Sequence, residues 1–530
     1  MRDFYYRTED IRPDKILKYF VEIEEDRDIV DALKGRNPSM LVGSRGTGKS
    51  FLLRVAEAEL RRDFDADRVF PVYATFEKST LIQTSDPDQF THWMLARLTA
   101  NLVRSLSRAF PTFGDLKLSI ASTDPGENES RIELIAASYE ESWIQGSPLK
   151  ISGADVPTAE HFKDAVEKMC VALDIDRIAF FIDEAAHILL PSQQRQFFTI
   201  FRDLRSPYLT CNAAVYPGVT AFGDAFQRSH DATFLSLTRN VLAREYVDRM
   251  REVVEKQADS DTLGTVARST ESFELLAYAA SGNPRLLLKT LSRARNLSAS
   301  EVNGVIRSFY RSEFWNDHTM LSDKYSPYKI YVDWGRDFLE NDVLPKLRER
   351  SATGRSTTAY LYVDKNAPQA VSHALDLLEY TGILIEHEPG IRGTRSGVGT
   401  RFLVNLGTVF STLSVPTTEG LPLVKGLSIK RFAEYGPNYG SFLQLQEAVS
   451  GLPQEVETSP VLSDQLKKDI DILDITDWQK EKLRELDLTT LGDVLRATDQ
   501  QLQEAYYVGE IRSRQMKNAA QAAVFEYLTG

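Results

Sequence analysis

Met40-Leu-Val-Gly43-Ser-Arg-Gly-Thr-Gly-Lys49-Ser50-Phe-Leu-Leu53 decides the fold of this chain. Gly43 to Ser50 reads G-x-x-x-x-G-K-S, with a short apolar run before it (Met40, Leu41, Val42) and a helical pattern after it (Phe51, Leu52, Val55, Ala56, Leu60). That is a strand feeding a glycine-rich loop that opens a helix, the context in which backbone N–H groups wrap phosphates. Gly43, Ser44, Arg45, Gly46, Thr47, Gly48, Lys49, Ser50 and Phe51 are therefore the candidate nucleotide-binding residues. Lys49 would reach the β- and γ-phosphates, and the Ser50 hydroxyl would ligate Mg²⁺. The motif predicts a site for ATP and Mg²⁺.

A second strand is expected at Val69–Phe76, a polar break at Ser85–Asp88 and a long helix from Phe90 to Phe110. Residues 112–157, rich in Gly, Ser and Asp, read as an irregular insertion. Arg177-Ile-Ala-Phe-Phe-Ile-Asp183-Glu184 is a continuous apolar run ending in two carboxylates. Such a run suits a parallel strand buried on both faces. Beside a phosphate loop, Asp183 would hold Mg²⁺ through water and Glu184 would polarise the water attacking the γ-phosphate. Glu next to Asp points to a hydrolase or switch rather than a kinase. A helix (Ser192–Arg205), a strand (Leu209–Tyr216) and a Pro217-Gly218 turn complete a β-α-β pattern. The expected core is a doubly wound parallel α/β sheet with nucleotide at the strand carboxyl ends.

At 530 residues the chain is long enough for roughly three or four domains. Its 42% hydrophobic and 26% charged content is that of a soluble globular protein. No apolar run approaches a membrane span, and the start Met-Arg-Asp-Phe-Tyr-Tyr-Arg has no apolar h-region. Cys170 and Cys211 make neither a disulfide framework nor a metal spacing, and the expected location is the reducing cytoplasm. The seven His are scattered, so a metalloenzyme is not supported. A net charge of −13 argues against a bulk nucleic-acid coat but leaves room for a local basic patch.

In this order the pieces resemble an AAA+ ATPase of the origin-recognition/Cdc6-like branch, over about residues 1–410. The strand ending at Tyr216-Pro217-Gly218 sits where that family places its first sensor, for which Tyr216 and Asn212 both stand open. Ser281-Gly-Asn-Pro-Arg285, opening the helix Leu286–Arg295, is similar to the family's sensor 2. The resemblance implies that Arg285 contacts the γ-phosphate from a helical lid. It also implies an arginine finger, with Arg228 as candidate and Arg202 and Arg205 as competitors. Glu184, Lys49, Arg285 and Arg228 form the implied catalytic set, with Ser50 and Asp183 at the metal.

The expected divisions are an ATPase core (1–238), a helical lid (239–315), a winged helix (322–412), a linker (413–460) and an all-α helix-hairpin-helix domain (461–530). In the winged helix, the amphipathic helix Pro368–Tyr380 precedes a strand at Ile383–His387, a turn at Gly390–Gly399 and a strand at Arg401–Asn405. Such a helix often enters a DNA groove, and Arg392, Arg395 and Arg401 are candidate phosphate contacts on the wing. The last stretch of the chain resembles a tandem helix-hairpin-helix, as in the C-terminal domain of the α chain of RNA polymerase. Gly509, Arg512, Arg514 and Lys517 are its candidate phosphate contacts, although Tyr507 replaces the family's preceding glycine. Residues 461–530 carry nine Lys/Arg and thirteen Asp/Glu, so this domain would hold duplex DNA weakly by itself.

The leading expectation is an ATP-switched, DNA-associated ATPase, with a homo-oligomer as an open possibility. The alternative is a regulatory or signalling ATPase, for example in a bacterial defence or mobile-element system, whose C-terminal modules dock a partner protein.

Overall fold

The computed structural model describes residues 4–76, 89–110, 131–140, 156–185, 191–223, 225–324, 328–353, 356–394, 397–450 and 466–529. The polar break at 85–88, most of the 112–157 insertion, Arg395 and residues 451–460 of the expected linker lie outside them. Five parallel strands, β1 (Ser39–Val42), β2 (Val69–Thr75), β3 (Arg177–Asp183), β4 (Leu209–Val215) and β5 (Thr233–Ser236), form one sheet in the order β2-β3-β4-β1-β5. In register, Met40 faces Ala213, Phe180 faces both Val72 and Cys211, and Thr75 faces Asp183.

Alternation along the strands gives each face its own core. Leu41, Ala179, Phe181 and Ala214 pack against the helices Glu24–Lys34 and Lys49–Arg62. Met40, Val72, Phe180 and Ile182 pack on the other face, among side chains of the helices Gln89–Ala109, Ala159–Leu173 and Pro191–Asp203. Every residue of β3 and β4 is buried, which is why these strands read as unbroken apolar runs. Within the expected insertion, Arg131–Glu140 is helical and lies against Gln89–Ala109, with Trp93 Nε1 donating to Glu140 Oε1 at 3.3 Å.

The segment expected to be the lid holds five helices, Tyr246–Glu255, Ser260–Arg268, Thr270–Ala279, Pro284–Arg293 and Ala299–Ser308. Beyond it a second sheet has the order β7-β8-β6-β9, with β6 Tyr360–Asp364, β7 Leu384–Arg392, β8 Val398–Val404 and β9 Ala433–Tyr435. The β7–β8 hairpin is the expected wing, but β7 runs on to Arg392 through two register shifts. Lid and second sheet share one hydrophobic core, from Phe273 and Leu276 through Tyr360 and Phe410 to Phe442.

Residues 413–450 depart from the linker expectation. Helices span Pro416–Lys425 and Gly440–Ser450, and β9 between them pairs in parallel with β6. Pro416 stands at the first helical position, where a missing N–H costs nothing, and Gly420 lies where a Cβ would meet Leu275 at 2.4 Å. The C-terminal residues 466–529 form helices Asp477–Glu485, Leu491–Arg496, Asp499–Gln503 and Glu510–Thr529 around a separate small core. Capping boxes at Thr476/Gln479, Thr490/Asp493 and Thr498/Gln501 start the first three.

His318, fully buried in the helix Phe314–Lys324, bonds through Nε2 to the Val332 carbonyl at 3.3 Å. Burial pushes its pKa from 6.5 down to about 4. A depressed histidine contributes stability that is complete above pH 6.5 and is lost as pH falls toward 4. His318→Gln is therefore expected to flatten the acid limb of a stability–pH curve measured by denaturant unfolding, removing up to about 3 kcal/mol of pH dependence.

Candidate functional site

Gly46 (φ 83°) and Gly48 (φ 109°) adopt left-handed backbone that side chains resist. They curl the loop so that the helix Lys49–Arg62 begins immediately after it. A cavity of about 420 Å³ opens there, a size suited to a nucleotide. Arg45, Gly46, Thr47, Gly48, Lys49, Ser50 and Phe51 line it, as do Asp183, Glu184, Tyr216 and Arg285. Gly43 and Ser44 instead face a second cavity behind the loop. The structure thus brings the loop, the carboxylate pair and the lid arginine to one place.

Lys49 is buried, and its Nζ donates to the carbonyls of Gly43 (2.7 Å) and Ser44 (3.0 Å) while lying 3.9 Å from the Tyr216 ring centroid. Burial pushes its pKa down to about 7, against the pull of Asp183 and Glu184. Asp183 is held from two sides. Tyr73 donates its hydroxyl to Oδ2 at 2.5 Å, and the Glu184 N–H donates to Oδ1 at 2.9 Å. The Tyr73 phenol titrates well above its ordinary range, first through burial and then through Asp183, so it remains a donor. Arg54 lies over the Tyr73 ring at 3.3 Å. Glu184 takes φ 56°, a strained value for a non-glycine residue at the end of a strand.

From the lid, Asn283 caps Pro284–Arg293 by accepting from Leu286 N, and its Nδ2 donates to the Arg45 carbonyl at 2.8 Å. Arg285 Nε donates to the Tyr6 carbonyl at 3.0 Å. Burial, with Arg45 close by, lowers its pKa. Of the two sensor-1 candidates, Tyr216 lines the cavity. Asn212 is fully buried midway along β4, accepting from Ser39 N and donating to the Leu33 carbonyl.

Sequence reasoning missed Tyr73, Arg239 and the N-terminal segment from Tyr5 to Val21, which supplies one wall of the cavity. Arg239 donates to the carbonyls of Thr47 (3.0 Å) and Gly282 (3.1 Å) and to Asp26 Oδ2 (2.7 Å). No local motif marks any of these. They reach the site only by folding.

The three arginine-finger candidates do not line the nucleotide cavity. Arg228 is exposed over the rings of Phe222 and Phe234, Arg202 donates to the Ala225 carbonyl, and Arg205 to the His230 carbonyl.

The helix expected to read DNA, observed as Gln369–Thr381, is buried along most of its length. Its end abuts the phosphate loop. Arg45 N–H donates to the Tyr380 carbonyl at 3.2 Å, Tyr380 packs on Tyr216 with centroids 4.8 Å apart, and a Cβ on Gly382 would lie 3.2 Å from Ser44 Oγ. Asp376, Glu379 and Glu386 face the second cavity. Burial raises all three, Asp376 to about 7.

Arg401 is no wing-tip contact. It is buried, donates to the Ile429 carbonyl at 2.9 Å and pairs with Glu388, because its strand position turns it onto the sheet. Arg392 is exposed. In the C-terminal domain Gly509, Arg512 and Arg514 are exposed, and Lys517 lies 3.8 Å from Asp499. Among the described residues no cluster of His, Cys, Asp and Glu has metal-site geometry, and no helix is long and apolar enough to cross a membrane.

A Cβ on Gly46 would meet Asn283 Oδ1 at 2.9 Å and Arg285 at 3.1 Å. Gly46→Ala is therefore expected to force loop and lid apart and weaken nucleotide binding by about tenfold or more. Titration with a fluorescent nucleotide, beside a circular dichroism spectrum showing that the variant is folded, checks this.

Residues 4–113 match the ORC-CDC6-like family. No curated protein matches the chain. Among solved structures, a Walker-type ATPase of Pyrococcus abyssi is 14% identical over 79% of this chain and 97% of that one, at a TM-score of 0.37. The ORC1 protein of Aeropyrum pernix, solved in complex with DNA, is 14% identical over 78% and 94%, at 0.34. The ORC2 protein of Aeropyrum pernix, in ADPNP–ADP complexes, is 12% identical over 81% and 98%, at 0.37. The family match is confined to the segment that holds the phosphate loop, and the all-parallel sheet brings that loop, the acidic strand end and Arg285 to one cavity.

Proposed function

We propose that the protein is an ATPase that gates DNA binding by its C-terminal modules through the nucleotide it holds. The observation that carries this reading is the contact between the helix Gln369–Thr381 and the phosphate loop. A helix so buried cannot enter a DNA groove, and the group that holds its end is an amide of the loop meant for phosphates. Nucleotide and docked helix therefore compete for the same loop conformation.

ATP would lie in the first cavity, its phosphates drawing Lys49 off the Gly43 and Ser44 carbonyls. That displacement moves the cation lying against Tyr216, and Tyr216 is the ring on which Tyr380 rests. Ser50 and Asp183 suit Mg²⁺: one hydroxyl at the helix start and one buried carboxylate already oriented by two donors. Bound there, the metal supplies charge to offset the phosphates. Glu184 would orient and polarise the attacking water, and Arg285 would stabilise the γ-phosphate from the lid. Arg228, outside the cavity, would act only on a neighbouring copy's nucleotide. Once free, the winged helix offers Arg392 and the C-terminal domain offers Gly509, Arg512, Arg514 and Lys517; linked weak contacts gain avidity together. A site with Asp183, Glu184 and Lys49 together in one cavity supports turnover rather than simple nucleotide storage.

The test is DNA binding by Glu184→Gln, which should hold ATP without hydrolysing it, across a salt series with ATP, with ADP and with neither. Binding at least tenfold tighter with ATP, salt-sensitive and absent in Lys49→Ala, is the expected result. Binding that ignores nucleotide, or none at all, sinks the gating reading and favours a partner-docking ATPase. Removing only the hydroxyl that holds Asp183, Tyr73→Phe is expected to lower Mg²⁺-dependent ATP turnover by roughly tenfold to a hundredfold. The melting temperature should hardly move. Phosphate release at varied Mg²⁺ measures it.

A further inference from the structure

Where the last helix of the chain begins, Tyr506 and Tyr507 are 74% and 70% exposed and Ile511 is 75% exposed. The two rings meet edge to face with centroids 4.6 Å apart. Tyr507 takes φ 67°, left-handed backbone that suits glycine and strains an aromatic residue. The turn has kept a glycine's geometry while carrying a large ring that packs on little of the chain. A residue that strains the backbone and buries almost nothing is not there for the fold.

The surroundings give the rings a chemical context. Arg512 Nη1 donates to the Tyr507 carbonyl at 2.7 Å, and its guanidinium lies 4.9 Å from the ring of Trp478, itself exposed. Arg512 thus links the Tyr507 backbone to the Trp478 ring, over which Lys482 also lies at 5.7 Å. The helix Glu510–Thr529 starts beside them, its Arg512 and Ser513 N–H groups donating to the Gly509 carbonyl and its positive end turned toward the rings. Charge is segregated as well. Residues 510–517 hold three cations, Arg512, Arg514 and Lys517, against the single acid Glu510, whereas residues 461–509 hold six Lys/Arg against eleven Asp/Glu. Lys480, Lys482 and Arg484 make a second cationic run, but Lys482 and Arg484 are paired there with Glu485 and Asp471; the run at 510–517 is the one that adjoins Tyr507.

We infer that this surface is a stacking platform for unpaired bases, with the adjoining phosphate seated at the start of the last helix. A duplex hides its base faces and would bring a rod of phosphates against an acidic domain. A single strand can lay one phosphate on the small cationic spot and turn neighbouring bases onto Tyr506, Tyr507 and Trp478. Stacking of this kind tolerates any sequence. The inference deepens the proposed function by naming the nucleic-acid form taken by the C-terminal domain, and rests on that reading only for DNA being a partner at all.

The experiment uses the full chain and fluorescence anisotropy with a labelled single-stranded DNA of mixed sequence, the same sequence as RNA, and the DNA duplex. The variants are Tyr506→Ala with Tyr507→Gly, and Tyr507→Gly alone, which restores a glycine where the backbone wants one. Wild type should bind the single strands. The double variant should lose about tenfold to a hundredfold of that affinity with duplex affinity within about twofold of wild type. Tyr507→Gly alone should raise the unfolding temperature while weakening single-strand binding, which separates a binding role from a structural one. The DNA and RNA arms tell which source of bases is preferred. No single-strand binding by wild type, equal losses on single strand and duplex, or single-strand affinity unchanged in both variants overturns the platform. Tyrosine-dependent single-strand binding alongside nucleotide-indifferent duplex binding would retain the platform and discard the gating; the reverse pattern would do the opposite.

Discussion

One guanidinium ties the nucleotide site together. Arg239, with its side chain only 13% exposed, reaches the phosphate-loop carbonyl of Thr47, the lid-turn carbonyl of Gly282 and the carboxylate of Asp26 on the first helix. A buried cation demands partners, and these three belong to three different parts of the chain. The demand holds loop, lid and first helix in register with one another. Gly282, at φ 83°, lies so close that a Cβ would come within 2.9 Å of Arg239, so the turn before the lid helix is shaped around this side chain. Asn283 then follows in position to cap that helix and reach the Arg45 carbonyl. The lid arginine, Arg285, enters the cavity as the consequence of this sequence of fits.

What could be read in the sequence was what is local. The phosphate loop, the apolar strand ending at Asp183 and the Asn-Pro-Arg helix start each carry their chemistry within a few residues, and each stands where its pattern placed it. Tyr73, Arg239 and Tyr380 carry theirs only after strands and helices from distant parts of the chain meet, so no spacing marked them. Arg401 shows the opposite failure. Its place beside glycines and other arginines suggested an exposed wing, but the strand's alternation turned it inward to Ile429 and Glu388. The second sheet was half legible. Its hairpin showed in the pattern, whereas β6 and β9 pair across a separation that no local window spans.

Electrostatics separate the two ends of the chain. In the nucleotide cavity burial dominates: it lowers Lys49 and raises Tyr73, so that small changes in occupancy alter which groups hold protons and hydrogen bonds. At the C-terminal domain nearly everything charged is in water, where only clustering makes a cation effective. The same overall acidity therefore means different things at the two sites. It is irrelevant inside a cavity lined by oriented dipoles and decisive on an open surface.

The shared core of lid and second sheet has a mechanical meaning. Phe273, Leu276, Tyr360, Phe410 and Phe442 belong to one packed interior, and packed interiors shift between discrete arrangements rather than shear. Lid and sheet are therefore one packed body, tied to the phosphate loop both at Arg239 and Gly282 and at Tyr380. In a body of that kind a change of contact beside the phosphate loop is felt by every element that shares the interior, out to the strand that ends in Arg392.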